Sequence, residues 1–332
     1  MKQYPERKSE SGVALVTVPM IVAAMSAVAI TLSSAVLAST SRARAIDSAS
    51  QADWLVLSAE EVGRAAIGDM VTATEGKLFA GMPGLAEPTV IDVEGGRVVL
   101  TGRDGGNCFN VNTLASANTA RTPGLEAAEG SPADTFESLL ELAEAGDGNA
   151  SGLTASLADW LDPDQSPGMS GAENAFYASA SVPYRTPGQP MQSISELRSV
   201  RYFTPGVYEA LEPLLCALPQ EESVVLNINT LDQTQAPLLS LAFSGALTVE
   251  GAGDLIFQRP NGGWESVDIF LTEPAIREIA PALRRTDMLS VESRYVAVRA
   301  GVQFRDARRL VDILFAVDGP DSVKTLWRER KG

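Results

Sequence analysis

The hydrophobic pattern along the chain changes period several times, and each change marks an element. From Val13 to Ser41 there is no charged residue, and Val, Ala, Ile and Leu dominate. About 20 apolar helical residues cross a bilayer core, so this run is long enough to span one. Beyond Arg42 apolar residues recur three and four apart (Ala45, Ala49, Ala52, Leu55, Val56, Ala59, Val62, Ala65, Ala66) among Asp, Glu and Arg, the spacing of one helix face. The pattern predicts a single helix from Val13 to about Met70, roughly 85 Å long; the other reading is two helices broken at Ser39–Ser41. Residues 86 to 112 then read as strands, with Thr89–Val93 and Arg97–Thr101 flanking Gly95-Gly96, a hairpin signal. Residues 289 to 317 carry two more β-rich runs, Tyr295–Arg299 and Val311–Val317. Between the strand groups the pattern turns helical, at Thr135–Ala145, Leu153–Leu161, Ser193–Val200, Pro205–Ala217 and Pro274–Leu283. The expected fold is α+β: a long N-terminal transmembrane helix, an antiparallel sheet, and a large, mainly α-helical domain inserted between its strands.

The residues before the apolar run decide what kind of segment it is. Met1–Gly12 is short and polar, with Lys2, Arg7 and Lys8 against Glu6 and Glu10, and ends in a glycine. A secretory signal peptide has an apolar core of only about 7–15 residues, shorter than this one, although Ala35–Ala38 resembles a cleavage site. The basic leader suits a cytoplasmic start, while Arg42 and Arg44 on the far side weaken the charge asymmetry. A basic leader, a glycine and an unbroken apolar helix resemble the class III signal of type IV pilin-like proteins. The resemblance implies cleavage after Gly12 by a prepilin peptidase, methylation of Val13, and a helix retained as anchor and filament core. Counting from Val13, the fifth position is Thr17, where most pilin-like subunits carry a glutamate that pairs with a neighbour's terminal amine. A subunit with Thr17 there either sits at a filament end or is not a pilin, and Pro19 is unusual inside a helix.

Composition removes several chemistries. Lys and Arg number 26 against 42 Asp and Glu, a net charge of −16, which disfavours nucleic acid as a partner. The absence of histidine removes Ser-His-Asp and Cys-His catalysis and His-ligated zinc. Two cysteines, Cys108 and Cys216, are too few for a zinc ribbon; they are either a disulfide in an oxidising compartment or two buried thiols. Acidic pairs without a positioned nucleophile do not make a hydrolase, so no enzyme is expected. Phe109–Leu114 and Leu226–Leu231 share an apolar-Asn-apolar-Asn-Thr-Leu pattern, suited to capping the helices that follow. Leu226–Leu271 also resembles a helix-hairpin-helix DNA-binding unit, but its only base is Arg259 among several acids.

Several further segments occur together: Gly105–Leu114, Ala158–Asp164, Gly171–Tyr177, Pro183–Arg185, Ser193–Arg201, Leu226–Thr230 and Arg259–Leu271. With the leader, these are similar in kind and order to the protein K family of the type II secretion pathway, the large minor pseudopilins. The resemblance covers most of the chain. It implies a leader at 1–12, a transmembrane pilin helix at 13–70, a pilin-like β part at 71–114, an inserted helical domain with SAM or helix-hairpin-helix-like repeats at 115–288, and closing strands at 289–332. It also implies a single-pass protein of the bacterial inner membrane with its head in the periplasm, at the tip of the pseudopilus. Its expected partners are the minor pseudopilins I and J, the major pseudopilin, the prepilin peptidase and the inner-membrane assembly platform. The alternative is a minor pilin of a type IV pilus or DNA-uptake system.

One loop has metal-ligand spacing. From Asp162 to Glu173, oxygen-bearing residues Asp162, Asp164, Ser166, Ser170 and Glu173 fall at positions 1, 3, 5, 9 and 12 of a calcium loop. Pro167 stands where the turn glycine belongs, and spacing alone leaves a solvated acidic turn as the other reading. The family resemblance implies calcium in the helical domain, with Asp162, Asp164, Ser166 and Glu173 as ligands and Asn174 and Glu196 as candidates to complete the shell.

Overall fold

The computed structural model describes residues 13–116, 130–219 and 223–331. Helix α1 runs without a break from Val13 to Thr74, 62 residues or about 93 Å, and passes through Pro19 and Ser39–Ser41. The two-helix reading is thereby excluded. Residues 15–47 are exposed, and the first buried residue after them is Ser48. From there Ala52, Val56, Ala59, Ile67 and Val71 form one buried stripe at helical spacing.

That stripe lies on one face of a sheet. Strands β1 (Thr89–Val93) and β2 (Gly96–Asp104) form the expected hairpin. The chain then leaves the sheet and builds a second body. This consists of β3 (Phe109–Asn110), α2 (Pro132–Leu142), α3 (Ala150–Leu161), α4 (Asn174–Tyr177), α5 (Pro205–Leu211), β4 (Leu215–Cys216), β5 (Leu226–Asn227), α6 (Ala236–Leu241), α7 (Val249–Phe257), α8 (Val267–Phe270), α9 (Pro274–Arg277) and β6 (Leu289–Ser290). The sheet resumes with β7 (Tyr295–Phe304), β8 (Ala307–Val317) and β9 (Val323–Arg330). Its order is β1-β2-β7-β8-β9, antiparallel throughout. The chain thus exits the sheet at Asp104, which pairs with Val296, and returns one strand over.

Several expected elements are differently bounded. The Gly105–Leu114 stretch, assigned from sequence to the β part, packs in the insert, with Phe109, Val111 and Leu114 fully buried in its core. Pro205–Ala217 and Pro274–Leu283 are not continuous helices: the α-helical parts end at Leu211 and Arg277, each in a segment interrupted by a proline (Pro213, Pro281) that cannot donate a backbone hydrogen bond. Ser193–Val200 is a 3-10 turn with a capping box between Ser193 and Glu196. Strand β9 lies within the segment 289–332 expected to close the sheet, beyond the two β-rich runs named there. Its burial alternates along the whole strand despite a bulge opposite Leu314/Phe315, but the half-buried positions include polar Thr325 and Glu329 while apolar Leu326 is exposed, so the residue types do not show the period of two.

The two bodies have separate cores. One lies between α1 and the sheet, around Val98, Leu100, Val298, Ile313 and Phe315. The other fills the insert, around Phe136, Leu157, Tyr177, Phe243 and Phe270. They meet on the opposite face of the sheet, where Tyr295, Ala297 and Leu314 pack on Cys108 and Leu218. The sheet also has two distinct ends. The β1–β2 and β7–β8 turns lie together, Arg305 N–H donating to Gly95 carbonyl at 2.9 Å. The Arg305 guanidinium reaches Asp47 on α1 at 3.1 Å, so this is the end facing the exposed, apolar half of the helix. Asp104 and Tyr295 stand at the other end, and the insert grows from there.

Candidate functional site

Helix α3 ends with two carboxylates one turn apart, Asp159 and Asp162, the latter its C-cap. The chain then loops through residues 163–172 and returns to place Glu173 at the N-cap of α4, without a side-chain capping bond. Ligand atoms of Asp159, Asp162 and Glu173 all lie within 4.8 Å of one another. The three residues are 0, 1 and 4% exposed. Glycines make the closeness possible. Gly168 N–H donates to both Asp159 oxygens, at 3.1 and 3.2 Å. A Cβ on Gly171 would stand 1.9 Å from Asp159 Oδ2, so no side chain fits there.

Such a cluster is expensive as three bare anions. The C-terminal end of α3 is the negative end of its dipole, and buried like charges repel. Both Glu173 carboxylate oxygens are buried without a hydrogen-bond partner. Burial, then the charges of Asp159, Asp162 and Asp164, push the Glu173 carboxyl up to about 7. Hard carboxylate oxygens around an orphaned acceptor pair are what calcium requires, and these residues fit it.

The ligand arrangement differs from a linear calcium loop. Asp162 and Glu173 come together as the spacing anticipated, and Asp164 is near enough to act on Glu173 by charge. Asp164 Oδ1, however, accepts the Ser166 N–H at 2.7 Å; Asp164 is not one of the triad, and Ser166 is exposed on the loop. Asn174 Oδ1 accepts from Thr186 N–H at 2.8 Å, and Glu196 accepts from Gln192 N–H at 3.0 Å. Asp159 was missed. Its signal was present, since Asp159 and Asp162 in ADWLD are three apart and share a helix face. An aromatic wall backs the site: Trp160 stacks edge-on against Tyr177 at 5.2 Å, and Arg201 donates to Gly171 carbonyl at 3.0 Å.

Cys108 and Cys216 are joined by a disulfide across 108 positions, beside the parallel β3–β4 pair. The echoed asparagines stand close by. Asn110 and Asn227 each accept the N–H two residues on, at 3.2 and 2.9 Å, as a cap does. Their other groups reach much further. Asn112 donates to Met191 and Leu218 carbonyls at 2.9 and 2.8 Å, and Asn227 to Leu78 carbonyl and Ser293 at 3.0 and 2.8 Å. Asn229 exchanges both bonds with the Trp264 backbone, at 2.7 and 2.9 Å. The echo is therefore a stitching device for loops more than a pair of helix caps. Asp104, buried at the sheet exit, accepts from Thr230 at 2.7 Å and from Ser293; burial pushes its carboxyl above the ordinary range. Thr17 is exposed on α1. Val13 is the first residue of α1, and Gly12 lies outside the described residues.

Two family models, both described as type II secretion system (T2SS) protein K, match residues 107–220 and 226–292. The chain is 34% identical over 315 residues to type II secretion system protein K of Pectobacterium carotovorum subsp. carotovorum, covering 91% of this chain and 90% of that one. The chain belongs to the type II secretion system protein K family. The Klebsiella pneumoniae protein K is 32% identical, with 87% of each chain covered. A solved structure, the GspK-GspI-GspJ complex from enterotoxigenic Escherichia coli, contains a chain 30% identical, matched with a TM-score of 0.74 over 88% of this chain and 99% of that one. The chain is thus a minor pseudopilin of type II secretion, with a pilin-like sheet and long apolar helix. None of these matches favours the type IV pilus or DNA-uptake alternative. The first family model ends between the disulfide and the second asparagine echo and the second begins at that echo, so each matched unit contains one echo.

Proposed function

We propose that this protein caps the tip of the periplasmic pseudopilus, bound to two other minor pseudopilins of the I and J type, and helps to start the filament that exports folded proteins. The observation that carries the reading is the placement of the insert. It rises from the end of the sheet remote from the exposed helix, where β2 stops at Asp104 and β7 begins at Tyr295. A body of that size above the sheet obstructs a subunit stacking on top. Thr17 agrees with this, since a buried carboxylate without a partner amine is costly.

In this reading α1 anchors the chain in the inner membrane, supported by a long apolar segment that the head leaves uncovered. The prepilin peptidase cuts after Gly12 and methylates Val13, the assembly platform and the major pseudopilin extend the filament below, and the head lies in the periplasm. Calcium held by Asp159, Asp162 and Glu173, with Asp164 alongside, neutralises the triad and ties the end of α3 to the start of α4. The role is structural and non-enzymatic. The soluble head should form a stable complex with two other minor pseudopilins at salt that screens surface charge, through apolar surfaces. Failure to associate with either would sink the assignment of partners. N-terminal mass spectrometry of the membrane form should show methyl-valine; a start near residue 39 would mean an ordinary signal peptide.

A further inference from the structure

The foot of the head carries a collar of arginines in a chain whose net charge is −16. Arg42 and Arg44 are the first charges after the apolar run, and both are exposed. The two hairpin turns beside them carry Arg97, Arg305 and Arg308, all exposed. The acids at this end are Asp47, Asp92, Glu94 and Asp306, and two of them are taken up by Arg305 at 3.1 Å and Arg97 at 2.6 Å. Arg42, Arg44 and Arg308 make no ion pair among the described residues. Arg305 also occupies the turn with φ at 51°, a left-handed position where Gly, Asn or Asp fits more readily.

Depth follows from the helix. Val13 to Ser41 spans roughly 42 Å, the thickness of a bilayer with its headgroup layers. Asp47 lies about 8 Å beyond Arg42, and Arg305 is bonded to it. The head thus has no stalk: its lower turns stand within about one Debye length of the membrane surface, and arginine side chains are long enough to bridge the gap. We infer that the collar of Arg42, Arg44, Arg97, Arg305 and Arg308 docks the head on anionic phospholipid headgroups, by guanidinium–phosphate hydrogen bonds. Docking would fix the depth and tilt of the subunit before it enters the filament. The inference rests on the membrane-anchored reading of α1.

The test is hydrogen exchange on the full-length protein in nanodiscs of mixed phosphatidylglycerol and phosphatidylethanolamine, against discs of phosphatidylcholine. Amides of 93–97 and 303–308 should exchange severalfold more slowly on the anionic discs. High salt should remove the difference, because the Debye length then falls to about 3 Å. Arg308→Glu, which breaks no ion pair, should reduce it, and Arg305→Glu with Arg308→Glu should abolish it. Equal exchange on both discs would overturn the docking, provided that residues 15–38 stay protected. Rapid exchange of 15–38 would instead overturn the anchored reading itself.

Discussion

The sheet module and the insert solve the same folding problem by different means. The sheet is built from strands of up to 11 residues against one face of α1, so repetition does most of the work: ladders satisfy the backbone and alternate side chains fill one core. The insert has no helix longer than 12 residues among those described, and its strands are two-residue pairs. Short helices are poorly stable alone, and many backbone groups in the loops between them need partners. Asparagine amides, a disulfide and a carboxylate cluster supply what regular structure does not. A periodic module is held by its pattern, whereas an irregular one depends on a few specific links.

That contrast predicts unequal sensitivities. The largest loss should come from Phe315→Ala, a fully buried ring between α1 and the sheet, costing about 3–5 kcal/mol by denaturant melting of the soluble head. Replacing Cys108 and Cys216 together with serine should cost about 2–5 kcal/mol and should open residues 105–219 to protease before the sheet; simultaneous loss of both would erase the distinction between the modules. Calcium at a hundredfold excess over its Kd should stabilise the head by about 2.7 kcal/mol. Asp159→Asn should remove the response and Ser166→Ala should keep it, and melting curves with chelator check both.

A smaller effect follows from pH. Glu173 titrates at about 7 in the folded protein, against an ordinary 4.5, so between those values the folded apo head retains a proton that the unfolded chain has lost. Apo stability should therefore fall as pH rises from about 4.5 to about 7 and then level off. Calcium bound at the triad would have to displace that proton, so the stabilisation it gives should grow over the same range; Glu173→Gln should flatten the apo profile. The smallest change expected is Asp53→Ala. It breaks exposed pairs with Arg309 and Arg330, worth roughly 0–1 kcal/mol.

How much could be read from the sequence follows the same division. The Thr89–Thr101 hairpin and the continuous α1 were legible because apolar period and turn chemistry agree there. Strand β9 was not, because its half-buried positions include polar Thr325 and Glu329 while apolar Leu326 lies exposed. In the insert, Asp162 and Glu173 were found from loop spacing, while Asp159 was missed because a linear template counts forward from the loop and not back along a helix. Ser166 was included by the same template; it lies in the exposed part of the loop. The asparagine echo was visible as a pattern, but its partners (Met191, Leu218, Leu78, Trp264) are distant in sequence and no local rule names them.

Thr17→Glu should be poorly tolerated in assembly if no neighbour amine faces this position. The most direct test of tip placement is immunogold labelling of the head on overexpressed pseudopili. Label at one end of each filament is the predicted result; label spaced along the shaft would contradict it.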